Sequence, residues 1–149
     1  MARLSLITAQ LIQKQQVTMT TVISASGNSA VTSSFIITYT RGSTTMKPRS
    51  ATELSGWIHF PMPGGTSGEC LDNLMVDFTS QSATIKTVMV YLGSANVFEE
   101  GNLGKTETFT VSMSSRKILH SGGGISVSIE VEFETVEAWL SISSVGIAF

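Results

Sequence analysis

Strict alternation of apolar and polar residues over 125–133 constrains the fold more than any other feature of this sequence. The segment reads ISVSIEVEF, and Ile125, Val127 and Ile129 alternate with serine and glutamate. Successive side chains of a β-strand point to opposite faces of the sheet, so the pattern predicts a strand with one buried and one wet face. TFTVSM at 108–113 alternates in the same way. We therefore expect a fold built from half-buried antiparallel strands.

Further candidate strands, separated by turn-forming residues, extend over the whole chain. They cover residues 3–12, 17–25, 31–41, 54–62, 71–79, 83–92 and 137–149. Clusters of Gly, Ser and Asn favour turns, as in SGNS at 26–29 and EEGNLG at 99–104. We expect the segment 42–53 to be the longest loop. About eight or nine short strands with this spacing predict an all-β fold, an antiparallel two-sheet sandwich or jelly roll.

The length of the chain is that of one domain. Its 149 residues fall within the usual range of about 100–200 residues per domain, so residues 1–149 are expected to form a single β-sandwich. Strands in the N-terminal part are rich in Ser and Thr and poor in the Lys and Pro that usually block edge pairing. Residues 1–16 are therefore a candidate for a strand that exchanges between molecules or pairs with a neighbour.

Charge and hydropathy exclude two classes of partner. Lys and Arg total 9 and Asp and Glu total 11, and the net charge of −2 leaves no basic footprint for nucleic acid. No stretch reaches the 18 or more apolar residues of a membrane helix, so we expect a soluble protein without membrane insertion. The apolar run near the N-terminus is interrupted by Ser5, Thr8 and Gln10. It is not expected to be a signal peptide, and the compartment stays open.

No sequence motif predicts catalysis or a cofactor. GNLGKT ends like a phosphate-binding loop, but Glu99 stands where the motif requires a glycine. HSGGG resembles an esterase oxyanion loop, yet no Gly-x-Ser-x-Gly elbow accompanies it, and we expect His120 to be a loop residue. Cys70 is the single cysteine, which excludes an intrachain disulfide and a cysteine-based zinc cluster. The chain is therefore predicted not to be an enzyme.

The segment GWIHFPMPGG contains the first candidates for a ligand-binding site. Alternation places Trp57, His59 and Pro61 on one face of a strand. Trp57 and His59, with Tyr91, are the candidate ligand-binding residues, since aromatic rings combine an apolar face with a polar edge. The structural interpretation is that both faces of this strand meet protein. In that interpretation Trp57 and Trp139 are buried in the core and His59 is packed or hydrogen-bonded.

Three glutamates form the only candidate metal site, and a solvated strand face is the favoured interpretation for them. Glu130, Glu132 and Glu134 are two residues apart and would share one face of a strand. Neighbouring carboxylates can hold a hard cation such as calcium. Such sites more often use loop Asp and Asn, and Asp72 and Asp77 are the only aspartates in the chain. No metal site is therefore predicted.

Three segments, in this order, resemble a family of small uncharacterised bacterial β-sandwich proteins. They are GWIHFPMP at 56–63, LMVDFTSQSATIKTVMVYLG at 74–93 and LSISSVGIAF at 140–149. That family carries a W-x-H-x-x-(I/M)-P motif, a strand ending in V-x-V-Y-D-G and a C-terminal S-x-G-x-x-F. Leu92 stands where the family usually has Asp. The resemblance covers about residues 54–149 and implies a β-sandwich fold but no activity.

These features leave two functional hypotheses. The first is a non-enzymatic structural or interaction protein that self-associates through β-strand edges into a homo-oligomer or larger assembly. The alternative is a lectin-like domain that binds carbohydrate, with or without calcium, since sandwiches of this kind often bind sugars. The sequence alone does not decide between them, because fold class does not imply function.

Overall fold

A computed structural model describes residues 21–62, 68–120 and 123–149 as a set of antiparallel strands. The strands are β1 (Val22–Ser26), β2 (Phe35–Thr40), β3 (Ser43–Pro48), β4 (Ser55–Met62), β5 (Asn73–Gln81), β6 (Ala83–Leu92), β7 (Ala95–Glu100), β8 (Phe109–Ser112), β9 (Ile125–Phe133) and β10 (Trp139–Ala148). Short 3-10 turns cover Gly27–Ser29 and Ser114–Arg116. No helix in these described ranges is long and apolar enough to span a membrane. The predicted strand 3–12 and the predicted assembly strand 1–16 lie outside the described residues.

The strands form two sheets. The six-stranded sheet has the order β2-β3-β10-β5-β8, and β1 pairs with β10 as well. Since β5 occupies one edge of β10, β1 and β3 share the other edge; β3 pairs with residues 140–142 and β1 with residues 144–148. The four-stranded sheet has the order β4-β9-β6-β7. The predicted all-β, antiparallel two-sheet fold is confirmed.

The core lies between the two sheets and follows the alternation of the sequence. In β9 the apolar residues are buried, and in β10 the buried set includes Leu140, Ile142, Val145 and Ile147. The rings of Phe35 and Phe133 pack edge to face with centroids 5.0 Å apart. Such aromatic pairs contribute about 0.5–1.5 kcal/mol beyond the area they bury. Alternation therefore fixes which side chains of each strand fill the core.

Two strands, β3 and β7, were not predicted. Residues 42–53, expected to be a loop, contain β3, whose inward positions are Thr44, Met46 and Pro48. Thr44 is fully buried, and its hydroxyl donates a hydrogen bond to Asn28 Oδ1 over 2.9 Å. Because Thr44 is polar and yet points inward, β3 does not show the alternation of apolar and polar residues that predicts a strand. The predicted turn at 99–104 begins two residues later than expected, because Glu99 and Glu100 end β7.

The prediction that both tryptophans lie in the core is wrong. Trp57 and Trp139 are only partly buried, and each occupies an outward position of its strand. On β4 the inward positions belong to Ile58, Phe60 and Met62, which are buried, whereas His59 is exposed. Among the residues that the structure describes, no second layer of protein packs on the face that carries Trp57 and His59.

The free edge of β4 is partly closed by the segment before β2. The backbone N–H and C=O groups of His59 exchange hydrogen bonds of 2.8 Å with those of Val31. The hydroxyl of Thr32 donates to the carbonyl oxygen of Trp57 over 2.7 Å. Pro61 has no N–H to offer to another strand. Together these features interrupt the row of free backbone groups that a strand of another molecule would need for pairing with β4.

Candidate functional site

The outer face of the four-stranded sheet brings together the three predicted ligand-binding residues. Trp57 and His59 project from β4, and Tyr91 projects from β6 on the far side of β9. The register places Trp57 opposite Glu130 and His59 opposite Ser128, whereas Tyr91 is opposite Ser126. Because all these residues occupy outward positions, residues distant in sequence share one surface.

A row of outward side chains crosses the middle of this face, and its first two members, His59 and Ser128, are hydrogen-bonded. His59 Nδ1 lies 2.7 Å from the hydroxyl oxygen of Ser128, and Ser128 is only 6% exposed. Met89 of β6 is on the other side of Ser128, and Glu99 of β7 is opposite Met89. The hydroxyl of Tyr91 donates to the sulfur of Met89 over 3.4 Å. The predicted hydrogen-bonded state of His59 is thus present, but on an exposed surface.

The two aromatic rings stand at opposite corners of the face. Their strands are separated by β9, and their partners Glu130 and Ser126 are four residues apart along it. For a strand spacing of about 4.8 Å and a rise of about 3.4 Å per residue, about 17 Å separates their Cα atoms. That distance exceeds the width of one sugar ring, so a ligand that touches both rings must be an extended chain.

The predicted metal candidates do not converge. Glu130 accepts a hydrogen bond of 2.9 Å from the hydroxyl of Thr87, and Glu132 pairs with Lys86 at 3.1 Å. Glu134 lies beyond the end of β9 and is exposed. Within residues 21–62, 68–120 and 123–149, no three His, Cys, Asp or Glu side chains are placed to hold a metal ion. The geometry thus gives no support to a role for calcium.

Lys86 is held protonated by its partner. The hydrogen bond to Glu132, and the negative charge of that carboxylate, raise the pKa of Lys86 above its usual 10.5. The stability that this pair contributes is therefore present below pH 10.5 and lost as the pH rises through the raised pKa. Both side chains are well exposed, so solvent screens the interaction and the contribution is small.

His120 is a loop residue, as predicted, but a buried one. Its side chain is 1% exposed, and its ring packs against Phe149 with centroids 5.6 Å apart. Nε2 lies 3.1 Å from the carbonyl oxygen of Gly123, and since that oxygen can only accept, Nε2 carries the proton. His120 therefore has a packing role and is not part of the outer face.

A groove on the outer face of the six-stranded sheet was missed by the sequence analysis. It has a volume of about 430 Å³ and is lined by Thr45, Lys47, Thr79, Trp139 and Ser141. The sequence pattern that indicates this groove is WLSISS at 139–144. Its alternation places Trp139 on the same face as serine, and Leu140 and Ile142 on the opposite face. A tryptophan on the polar side of a strand is an outward tryptophan.

Comparison with known proteins gives a likeness in fold alone. No protein-family model matches the chain, and no curated protein matches it. The resemblance to the bacterial family stays a prediction.

Among solved structures, the chain is similar to a low-affinity xylan-binding module, CBM86, from the gut symbiont Roseburia intestinalis. The TM-score is 0.58 and the identity 13%, over 87% of this chain and 94% of the module. It is also similar to the C-terminal CBM6 of LamC, a marine laminarinase from Zobellia galactanivorans, with a TM-score of 0.51 and 14% identity over 88% of this chain and all of that one. The insecticidal crystal protein Cry2Aa matches with a TM-score of 0.50 and 11% identity, over 85% of this chain and 21% of its own.

Proposed function

We propose that this protein is a non-catalytic carbohydrate-binding domain that binds an extended sugar chain on the outer face of its four-stranded sheet. The observation that carries the proposal is that Trp57, His59 and Tyr91 lie on one solvent-facing surface, although they come from strands separated by β9. The likeness in fold to a xylan-binding module and to a CBM6 supports the same class of function.

The chemistry of this face suits sugars. A sugar ring has an apolar face of C–H groups, which packs on an aromatic ring, and a rim of hydroxyls, which needs donors and acceptors. Trp57 and Tyr91 supply the rings. Between them, His59, Ser126 and Glu130 supply polar atoms at outward positions. A chain that crosses β9 diagonally would contact both rings and the polar row in passing.

The same geometry supports binding without catalysis. Two of the carboxylates on this face already have partners, since Glu130 accepts a hydrogen bond from Thr87 and Glu132 pairs with Lys86. The surface is a sheet face open to water, whereas acid–base chemistry on a sugar gains from a closed site that excludes water. We infer that the face holds its ligand and leaves it unchanged.

The comparisons favour carbohydrate binding over self-association through strand edges, for which they give no support. The structure adds that the free edge of β4 is engaged by Val31 and Thr32, so this edge does not offer a row of unpaired groups. Homo-oligomer formation therefore does not form part of the proposal.

Affinity electrophoresis in gels that contain neutral arabinoxylan or laminarin tests the proposal. The wild-type protein should be retarded by at least one of them. Trp57→Ala and Tyr91→Ala should each weaken binding about tenfold or more, since aromatic anchors carry much of the energy of such contacts. Both residues are only partly buried, so the variants should keep the circular dichroism spectrum of the wild type.

Tyr39→Ala is the matched control, because Tyr39 is 59% exposed and lies on β2 in the other sheet. It should bind like the wild type. If neither neutral glycan retards the wild-type protein, or if the variants of Trp57 and Tyr91 bind as well as the Tyr39 control, the proposed binding face is wrong.

A further inference from the structure

We propose that the groove beside Trp139 is a second glycan site, on the opposite side of the molecule, and that it takes a sugar chain with carboxylate groups. The site goes beyond the function proposed above, because it uses the outer face of the six-stranded sheet and shares no residue with the face of Trp57. Its five lining residues come from β3, β5 and β10, which are neighbours in that sheet.

The ring of Trp139 stands at one end of the groove and is oriented by a hydrogen bond. Its Nε1–H donates to Oε1 of Gln81, directly opposite on β5, over 3.0 Å. The side chain is partly buried, so the rest of its surface stays accessible to a ligand. A ring held in one orientation loses little entropy when a sugar packs on it, which favours binding.

The floor of the groove is a row of hydroxyls. Ser141 is opposite Thr79 on one side and opposite Thr45 on the other, so the row crosses three strands. The hydroxyl of Thr45 donates to that of Ser141 over 3.3 Å. Side chains that both donate and accept can match the hydroxyls of a sugar in either role. This row begins one outward position away from Trp139, within reach of the same ligand.

Lys47 gives the groove its charge. It follows Met46, the partner of Leu140, and so flanks Trp139 on the side away from Gln81. Among the described residues, none forms an ion pair or a hydrogen bond with its ammonium group, and no carboxylate lines the groove. Asp77, further along β5, accepts a hydrogen bond of 2.9 Å from the hydroxyl of Thr108. A carboxylate on the ligand is the group that this lysine can pair with.

The cleft lined by Ser33, Arg49 and Glu53 is a weaker candidate. Its volume is larger, about 570 Å³, and it has a cation, but no aromatic ring lines it and a carboxylate, that of Glu53, lines it together with the arginine. The combination of a hydrogen-bonded aromatic ring, a hydroxyl floor and a cation with no carboxylate among the lining residues distinguishes the groove at Trp139. That combination points to a uronic acid unit within a polysaccharide.

Binding to acidic polysaccharides tests this inference, with polygalacturonate and alginate as probes. The wild type should bind at least one of them, and Trp139→Ala should weaken that binding about tenfold or more. Lys47→Gln should weaken it about two- to fivefold, as for an exposed ion pair, and should reduce its dependence on salt. Lys117→Gln is the matched control for loss of one exposed positive charge.

Two outcomes would overturn the inference. One is that no acidic polysaccharide binds the wild type; the other is that binding survives in both Trp139→Ala and Lys47→Gln. The test is separable from the one for the first face. Trp139→Ala should still bind a neutral glycan that the wild type binds, and Trp57→Ala should still bind the acidic one.

Discussion

Gly27 shows how a single residue can control the meeting of two elements. It is buried in the first 3-10 turn, where the chain passes from β1 towards β2 against β10. A Cβ atom at this position would lie far inside contact distance of the carbonyl oxygen of Ile142, and that oxygen belongs to the backbone of the central strand. Neither the backbone of Gly27 nor that of Ile142 can move without a shift of the sheet, so only glycine fits at position 27.

We therefore expect Gly27→Ala to lower the free energy of unfolding by about 3 kcal/mol or more, a typical upper value for overpacking. Urea denaturation followed by tryptophan fluorescence measures the change. Gly123→Ala is the control, because a Cβ there would meet nothing within 4 Å. Equal midpoints for the two variants would contradict the close contact at Gly27.

The residues of β4 also show what alternation can and cannot reveal. The sequence correctly placed Trp57, His59 and Pro61 on one face, since successive side chains of a strand alternate. It did not reveal that this face is the outer one, because both faces of GWIHFPMP carry large apolar groups. The pairing of β4 with β9 identifies the outer face. It places Trp57 opposite Glu130, and burial of a carboxylate without a partner in the core is unfavourable.

At the scale of elements, patterned strands could be predicted and weakly patterned ones could not. The bounds of β6 and β9 agree with the predicted segments 83–92 and 125–133. In β7 only Phe98 is buried, and one buried residue is not enough to show the alternation of apolar and polar residues that predicts a strand. Pairing with β6 then stabilises a segment whose own sequence resembles a turn.

The position of each strand in its sheet predicts how its amides exchange with solvent. β9 has neighbours on both edges, as does β10, whereas β7 and β2 stand at sheet edges. Amides of β9 and β10 should exchange most slowly, and those of β7 that point away from β6 should exchange fastest among the strands. Hydrogen–deuterium exchange with mass spectrometry or NMR measures this order.

The same experiment bears on self-association. If a second molecule covered the edge at β2 or β7, the protection of that strand would rise with protein concentration. We expect protection to be independent of concentration. A concentration-dependent increase confined to an edge strand would instead favour assembly through that edge.

On the scale of the whole molecule, the two proposed sites lie back to back. Sheets in a sandwich are about 10 Å apart, and each site uses the side of its sheet that faces away from the core. The face of Trp57 carries Glu130 and Glu132, whereas the groove of Trp139 carries Lys47. The sequence predicted the two-sheet fold, but it could not place these sites, because the strand order that assembles them depends on long-range pairing.

Two opposed sites with different charge predict that one molecule can bridge two polymers. Labelled polygalacturonate should be retained on an insoluble neutral glycan when the wild-type protein is added, provided that the protein binds each polymer alone. Trp57→Ala and Trp139→Ala should each reduce retention strongly, since each weakens one of the two binding sites that the bridge needs. Retention at the wild-type level in either variant would contradict a bridge made through these two sites.

Cys70 is exposed, lies just before β5 beside Leu119, and is the only thiol of the chain. It lines neither proposed site. A maleimide-bearing surface would therefore capture every molecule through the same atom and in the same orientation. Both proposed sites would then stay free to bind, and the occupancy of each could be followed on one immobilised layer.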